Sequence, residues 1–179
     1  THQPRTRQTM CKQCHAGNYS ENTEQKECQI CPAGWSTSNH SGAATCVSCS
    51  PGTYADEDGT IVCKDCVHGQ YRASIMIATS CENCSVGFSQ SDTSQASCIL
   101  CSPGEFNEVA GADKCKSCSE STYVGKKGRN SSCIHCPTGW FSAEGSVRCQ
   151  ACGAGTFGDG CQSCPVGYAR NGTDNDATQ

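Results

Sequence analysis

Every cysteine of this chain belongs to a CxxC pair, and the ten pairs recur along almost its whole length. They lie at 11/14, 28/31, 46/49, 63/66, 81/84, 98/101, 115/118, 133/136, 149/152 and 161/164, so the first cysteines step by 17, 18, 17, 18, 17, 17, 18, 16 and 12 residues. Self-similarity at a short fixed period marks a tandem array, whose repeats are small supersecondary units that contact only their neighbours. That constraint overrides the one or two globular domains that length alone would suggest.

The repeat has internal landmarks. Three residues after the second cysteine stands Gly17, Gly34, Gly52, Gly69, Gly87, Gly104, Gly139, Gly155 or Gly167, with Ser121 the one exception. One or two residues further on comes an aromatic: Tyr19, Trp35, Tyr54, Tyr71, Phe88, Phe106, Tyr123, Trp140 with Phe141, Phe157 or Tyr168. Those are all the aromatics of the chain. A sharp turn with φ > 0 explains the glycine, and the aromatic is read as a cover over nearby sulfurs. Gly42, Gly59, Gly111 and Gly145, each four residues before the next cysteine, mark a second turn. Short extended pieces such as residues 53–55 and 60–62 are expected to pair as a small hairpin.

Leu, Ile, Val and Phe make up about a tenth of the chain, too little to offset conformational entropy by apolar burial. The 20 cysteines must do it instead. CxxC is compatible with disulfides, with zinc held by paired thiolates, or with redox chemistry, though a redox site needs one such pair on a βαβ scaffold. The sequons favour disulfides. Asn18, Asn39, Asn83, Asn130 and Asn171 each begin N-x-S/T among eight asparagines, where about two would arise by chance, and such sites act in the oxidising secretory pathway.

Bonding within each CxxC would leave the repeats unlinked. Bonding the second cysteine of each pair to the first of the next closes uniform loops: Cys14–Cys28, Cys31–Cys46, Cys49–Cys63, Cys66–Cys81, Cys84–Cys98, Cys101–Cys115, Cys118–Cys133, Cys136–Cys149 and Cys152–Cys161. Each is worth roughly 3 kcal/mol in the chain-entropy model. Cys11 and Cys164 then lack local partners. Either flanking modules lie in other segments, or Cys164 of one subunit meets Cys11 of the next in a head-to-tail polymer.

The stretch "CQICPAGWSTSNHSGAATCVSC" carries a resemblance. It is similar to the ephrin-receptor-like cysteine-rich repeats of many extracellular proteins, long protist and algal surface proteins among them. It also resembles the small module of tumour necrosis factor receptors, in which the second Cys of a CxxC bonds forward. The resemblance runs from residue 11 to about residue 168 and implies a disulfide-rich extracellular array. Two modules depart from the pattern: 118–133 lacks the glycine, and 152–161 encloses only eight residues.

Other sites weigh less. A net charge of −4 with scattered basic residues, the densest at Lys126, Lys127 and Arg129, argues against nucleic acid. No apolar run approaches the ~18 residues of a membrane span. His2, His15, His40, His68 and His135 share no ligand spacing with acids, and no nucleophile and base stand together, so neither metal nor cofactor nor catalysis is expected. Asp56, Glu57 and Asp58 before Gly59 read as a solvated acidic turn rather than a calcium loop. Ile75, Met76 and Ile77, with Ile99 and Leu100, are candidates for an exposed lateral interface.

The sequence therefore predicts a small disulfide-rich repeat array, an elongated rod of short β-hairpin or irregular modules with little helix. Residues 1–10 form an N-terminal tail, 11–168 the modules and 169–179 a polar C-terminal tail. The opening THQPRTRQTM, without an initiator Met or apolar leader, reads as a processed product or a piece of something longer. The function expected is that of a secreted or cell-surface structural glycoprotein, a subunit or segment of a fibre, flagellar hair or cell coat. It would self-associate or pack with other extracellular proteins and carry covalent glycans. A ligand-binding receptor or adhesin ectodomain is the alternative.

Overall fold

The computed structural model describes residues 11–22, 25–73 and 79–171. Among them there is no helix. Nine two-stranded antiparallel sheets follow one another in tandem, each a hairpin of two-residue strands, and together with nine disulfides they form a repeat array. We number the modules 1 to 9 by their disulfides, from Cys14–Cys28 to Cys152–Cys161.

Each module starts from a turn written in the sequence. In module 3 the Thr53 amide donates to the Ser50 carbonyl at 3.0 Å, and the third turn residue, Gly52, has φ of 82°. This is the type II signature, which needs φ > 0 at that point. The turn launches the first strand, Thr53–Tyr54. Its partner is Lys64–Asp65, the spacer between the two cysteines of the next CxxC, with Thr53 opposite Asp65 and Tyr54 opposite Lys64. The expected partner, residues 60–62, is occupied elsewhere: Gly59 turns the chain back so that its amide donates to the Cys31 carbonyl at 2.7 Å, and the Ile61 carbonyl accepts from Asn39 of module 2 at 3.0 Å. The backbone groups that would have extended the hairpin join it to the preceding module instead.

Two compact units are distinguished, one running to Cys66 and taking in Arg72–Cys81, the other made of Val67–Tyr71 with Glu82 onward. In each, cysteine makes up most of the buried hydrophobic residues. The second cysteines Cys14, Cys31, Cys49 and Cys66 line the first unit, and Cys84, Cys101, Cys118 and Cys152 the second. Ala55 and Val124 are the only other buried hydrophobic residues among those described. A chain this poor in aliphatic side chains holds its cystines where a core would be.

Candidate functional site: module junctions and exposed faces

Three backbone hydrogen bonds recur at the junctions. First, the amide of the turn glycine donates to a carbonyl six residues past the second cysteine of the next module: Gly34 to Ala55 in the first unit, and Gly69 to Gln90, Gly87 to Asn107 and Gly104 to Val124 in the second, each at 2.7 Å. Second, that same later position in one module donates onward, as Asn107 does to Arg129 at 3.1 Å and Val124 to Ser146 at 3.2 Å. Third, the second left-handed glycine reaches back to a cysteine carbonyl: Gly42 to Cys14, Gly111 to Cys84, Gly128 to Cys101 and Gly145 to Cys118, between 2.7 and 2.9 Å. Few backbone groups are left to spare at such a junction.

The turn glycines have a second reason to be glycine. A Cβ on Gly17 would run into the Gly59 carbonyl oxygen, and in the second unit Gly69 meets Gly111, Gly87 meets Gly128 and Gly104 meets Gly145 in the same way. Gly17 belongs to module 1 and Gly59 to module 3, so contact reaches the second neighbour. The sequence reading allowed contact with adjacent modules only. The correction follows from the two left-handed turns, which stack backbone on backbone with no side chain between them.

The position six residues past the second cysteine escaped the sequence reading. It is buried in seven modules, as Thr37, Ala55, Arg72, Gln90, Asn107, Val124 and Ser142. Its residue types share no hydropathy, so composition gave no signal, although counting from the cysteine would have found the position. Asn107 shows why polarity is tolerated. Its amide donates to the Phe88 and Val109 carbonyls at 2.7 and 2.8 Å, and its oxygen accepts from the Val109 amide at 3.1 Å.

The aromatics fall at two successive strand positions, whose side chains point to opposite faces, and Phe88, four residues past its cysteine, is half-buried. Tyr19, Tyr54, Tyr71, Phe106, Tyr123, Phe141 and Phe157, five residues past the cysteine, are all half-buried. Tyr71 lines an open hollow of about 240 Å³ with Ser85, Phe88, Ser97 and Cys98. Where the position is serine, the hydroxyl lies against the next cystine: Ser36 3.4 Å from Cys63 Sγ, and Ser89 3.3 Å from Cys115 Sγ. Trp35 and Trp140, one residue earlier, stand opposite the small residues Ser48 and Ala151 and are exposed.

Cys11 is exposed and Cys164 half-buried, each without an intramolecular disulfide. Asn39, Asn83, Asn130 and Asn171 are exposed, while Asn18 is half-buried opposite Ile30 in its hairpin. Ile99 and Leu100 are exposed, whereas Ile75, Met76 and Ile77 lie outside the described residues. The acidic turn is engaged rather than merely solvated. Asp58 accepts from the Ala33 amide at 2.8 Å, fixing the turn of module 2, and Lys64 sits 2.7 Å from Asp56, whose hydrogen bond holds that carboxyl below its usual range. His40 and His68 face the Thr37 and Ser91 carbonyls at 3.2 and 2.6 Å. Among the described residues no three His, Cys, Asp or Glu side chains come together to hold a metal, and no helix is long and apolar enough to cross a membrane.

No curated protein matches the chain. A family model does: that of repeats described as tyrosine-protein kinase ephrin type A/B receptor-like matches residues 2–43 and 87–132. The ladder of hairpins and disulfides continues with the same spacing through modules 3 and 4, between the two matched stretches. Many disulfides and such a repeat point to an extracellular domain. The repeat's landmarks, the cystine ladder and the family match agree that the chain carries ephrin-receptor-like cysteine-rich repeats braced by a ladder of disulfides.

Proposed function

We propose that this chain is a structural extracellular glycoprotein, a subunit or segment of a fibre, flagellar hair or cell-surface coat, with no enzymatic activity. The observation that carries the reading is where its interactions go. Disulfides brace each module, backbone hydrogen bonds join one module to the next, and no large apolar side chain but Val124 is buried among the described residues. Such a construction resists extension and proteolysis while its surface varies freely, which suits a brace better than a cleft. Four exposed sequon asparagines supply places for a sugar coat.

One observation favours a receptor or adhesin ectodomain as the second reading. Exposed indoles at Trp35 and Trp140, each opposite a small cross-strand residue, are the kind of side chain that anchors a partner. Electron microscopy of native material, joined to non-reducing mass analysis, separates the two. The structural reading expects filaments or sheets with regular subunit contacts, whereas dispersed monomers that lose a ligand when Trp35 and Trp140 are changed to Ser would establish the other.

A further inference from the structure

On a chain whose net charge is −4, modules 6 and 7 carry an island of positive charge. Three of its cations are neighbours in sequence. Lys126 and Lys127, both exposed, sit in the turn that includes left-handed Gly128, and Arg129 follows. The fold adds a fourth. Phe106 pairs with Lys116 across its own hairpin and forms a parallel bridge with Arg129 on its other side, so Lys116, Phe106 and Arg129 stand in one row. Residues directly opposite one another share a face, and two strand spacings set the outer pair about 10 Å apart. The corresponding row of module 1 is Gln29, Tyr19 and Ala43, which carries no charge.

A second observation points to an anion. Arg129 is half-buried, and its Nε is enclosed with no hydrogen-bond partner among the described residues. A buried donor ordinarily has an acceptor, and a charged one gains most from it. Neighbouring acids leave the row open. Glu108 lies 3.9 Å from Lys116 with the two side chains 48% and 60% exposed, a contact worth little and readily exchanged. Glu105 points to the other face of the strand, opposite Ser117, and its carboxylate accepts from the Ser102 amide at 3.3 Å. Acids farther away are screened beyond about 8 Å at physiological ionic strength, so the chain's overall charge does not keep an anion from this row.

We propose that this row and turn bind a sulfated polysaccharide, whose sulfate groups engage Arg129, Lys116 and the Lys126–Lys127 turn. A sulfate ester keeps its charge throughout the physiological pH range and offers several oxygens to the guanidinium fork, where one of them takes up the orphaned Nε proton. Sulfates also recur along a linear chain, which can lie on a row that has no walls. An acidic peptide presents single carboxylates and suits a groove better. Polysaccharides of this kind belong to the extracellular setting that the disulfides and the repeat family indicate. The site goes beyond the functional readings above and holds whether the array is a fibre or a receptor ectodomain.

The test uses the full chain from a secretory host, with dextran sulfate as the probe. N-glycans are trimmed by endoglycosidase, because Asn130, beside Arg129, begins a sequon. The native chain should bind at physiological ionic strength, with an affinity that falls steeply as salt rises. Changing Lys126 and Lys127 together to Ala should weaken binding about tenfold and lower the salt slope by about two. Arg129→Ala should add a further loss that Arg129→Lys, which keeps the charge without the fork, restores only in part. Changing Lys12 and Lys26 together to Ala removes as much charge from exposed positions of module 1, and should leave binding within about twofold. Intact-mass counting of the disulfides confirms that each variant is folded. A native chain that ignores dextran sulfate, or equal losses in the two double-lysine variants, would overturn the proposal and leave a solvated basic loop. Poly-glutamate bound as tightly as dextran sulfate would overturn it in favour of an acidic peptide.

Discussion

Modules 6 and 7 begin with the same turn and differ by one side chain. In module 6 Gly104 is pressed against the Gly145 carbonyl of module 8, leaving no room for a Cβ. In module 7 the corresponding residue is Ser121, which keeps its Cβ while adopting the same left-handed φ, 59°. What differs is two modules further on. Module 8 is nearly full length, with a sequence separation of 13 from Cys136 to Cys149, but in module 9 the separation from Cys152 to Cys161 is only 9. A Cβ built on its Gly160 would lie 3.8 Å from the Ser121 hydroxyl. The one module without the turn glycine is the one whose second neighbour is the shortened module.

The sharpest way to break this comparison is to add one methyl group at two places. Gly104→Ala carries both burdens, about 1–2 kcal/mol for a left-handed non-glycine residue and about 1–3 kcal/mol for overpacking against backbone that cannot move aside. Gly155→Ala carries only the first, because Gly155 is left-handed at 76° but has nothing within 4 Å of its Cβ position. Calorimetric melting with the disulfides intact should therefore show Gly104→Ala several degrees below Gly155→Ala. Equal losses would mean that turn geometry alone selects glycine and that the second-neighbour stack contributes nothing.

A smaller effect is expected at the buried position that links modules 5, 6 and 7. Asn107 is 1% exposed and makes three hydrogen bonds, so Asn107→Ala, which leaves the Phe88 and Val109 carbonyls unmatched, should cost about 2–3 kcal/mol. Ser142 occupies the same position in module 8 and makes one, to the Thr122 carbonyl at 2.7 Å. Ser142→Ala should cost about 1 kcal/mol. Amide exchange at Val109 should accelerate markedly in the first variant and be unmoved in the second. If Ser142→Ala proves the more damaging, side-chain bonding is not what fits polar residues to this position.

How much of this was legible follows from which interactions are covalent or conformational. Cysteine spacing announced the period and the disulfide ladder, and glycines in fixed register announced both turns, because φ > 0 is a local demand that only a few residue types meet. The second strand was misplaced onto residues 60–62 because alternating small and apolar residues there look extended. The strand partner is instead the CxxC spacer, whose residue types (Lys64–Asp65, Glu82–Asn83, Ile99–Leu100) share no pattern because the ladder itself is made by its backbone. The stack of Gly104 on Gly145 was invisible for a related reason. It depends on the pitch from one module to the next, which no single repeat encodes. The one-residue difference between Trp35 and Tyr54 places them on opposite faces of a strand, a signal that the sequence carries in the count from the cysteine.

The smallest effect separates what happens inside a hairpin from what happens between modules. Tyr71 and Glu82 face each other across the strands of module 4, and the phenol donates to the Glu82 carboxylate at 3.0 Å. That hydrogen bond, then the carboxylate's charge, then burial, raise the Tyr71 pKa above the ordinary phenol value. A raised pKa means that the folded chain holds this proton more firmly than the unfolded one, so the contribution to stability is complete below the unfolded pKa of about 10 and is lost as pH rises through the folded value. Tyrosinate absorbance should show one phenol titrating late, and both Tyr71→Phe and Glu82→Gln should abolish it. Neither change touches the Gly69–Gly111 stack, so melting at neutral pH should move far less than in Gly104→Ala. A Glu82→Gln variant that melted as early as Gly104→Ala would place the array's stability in its hairpins, and the contrast between Gly104 and Ser121 would then be a matter of local turn geometry.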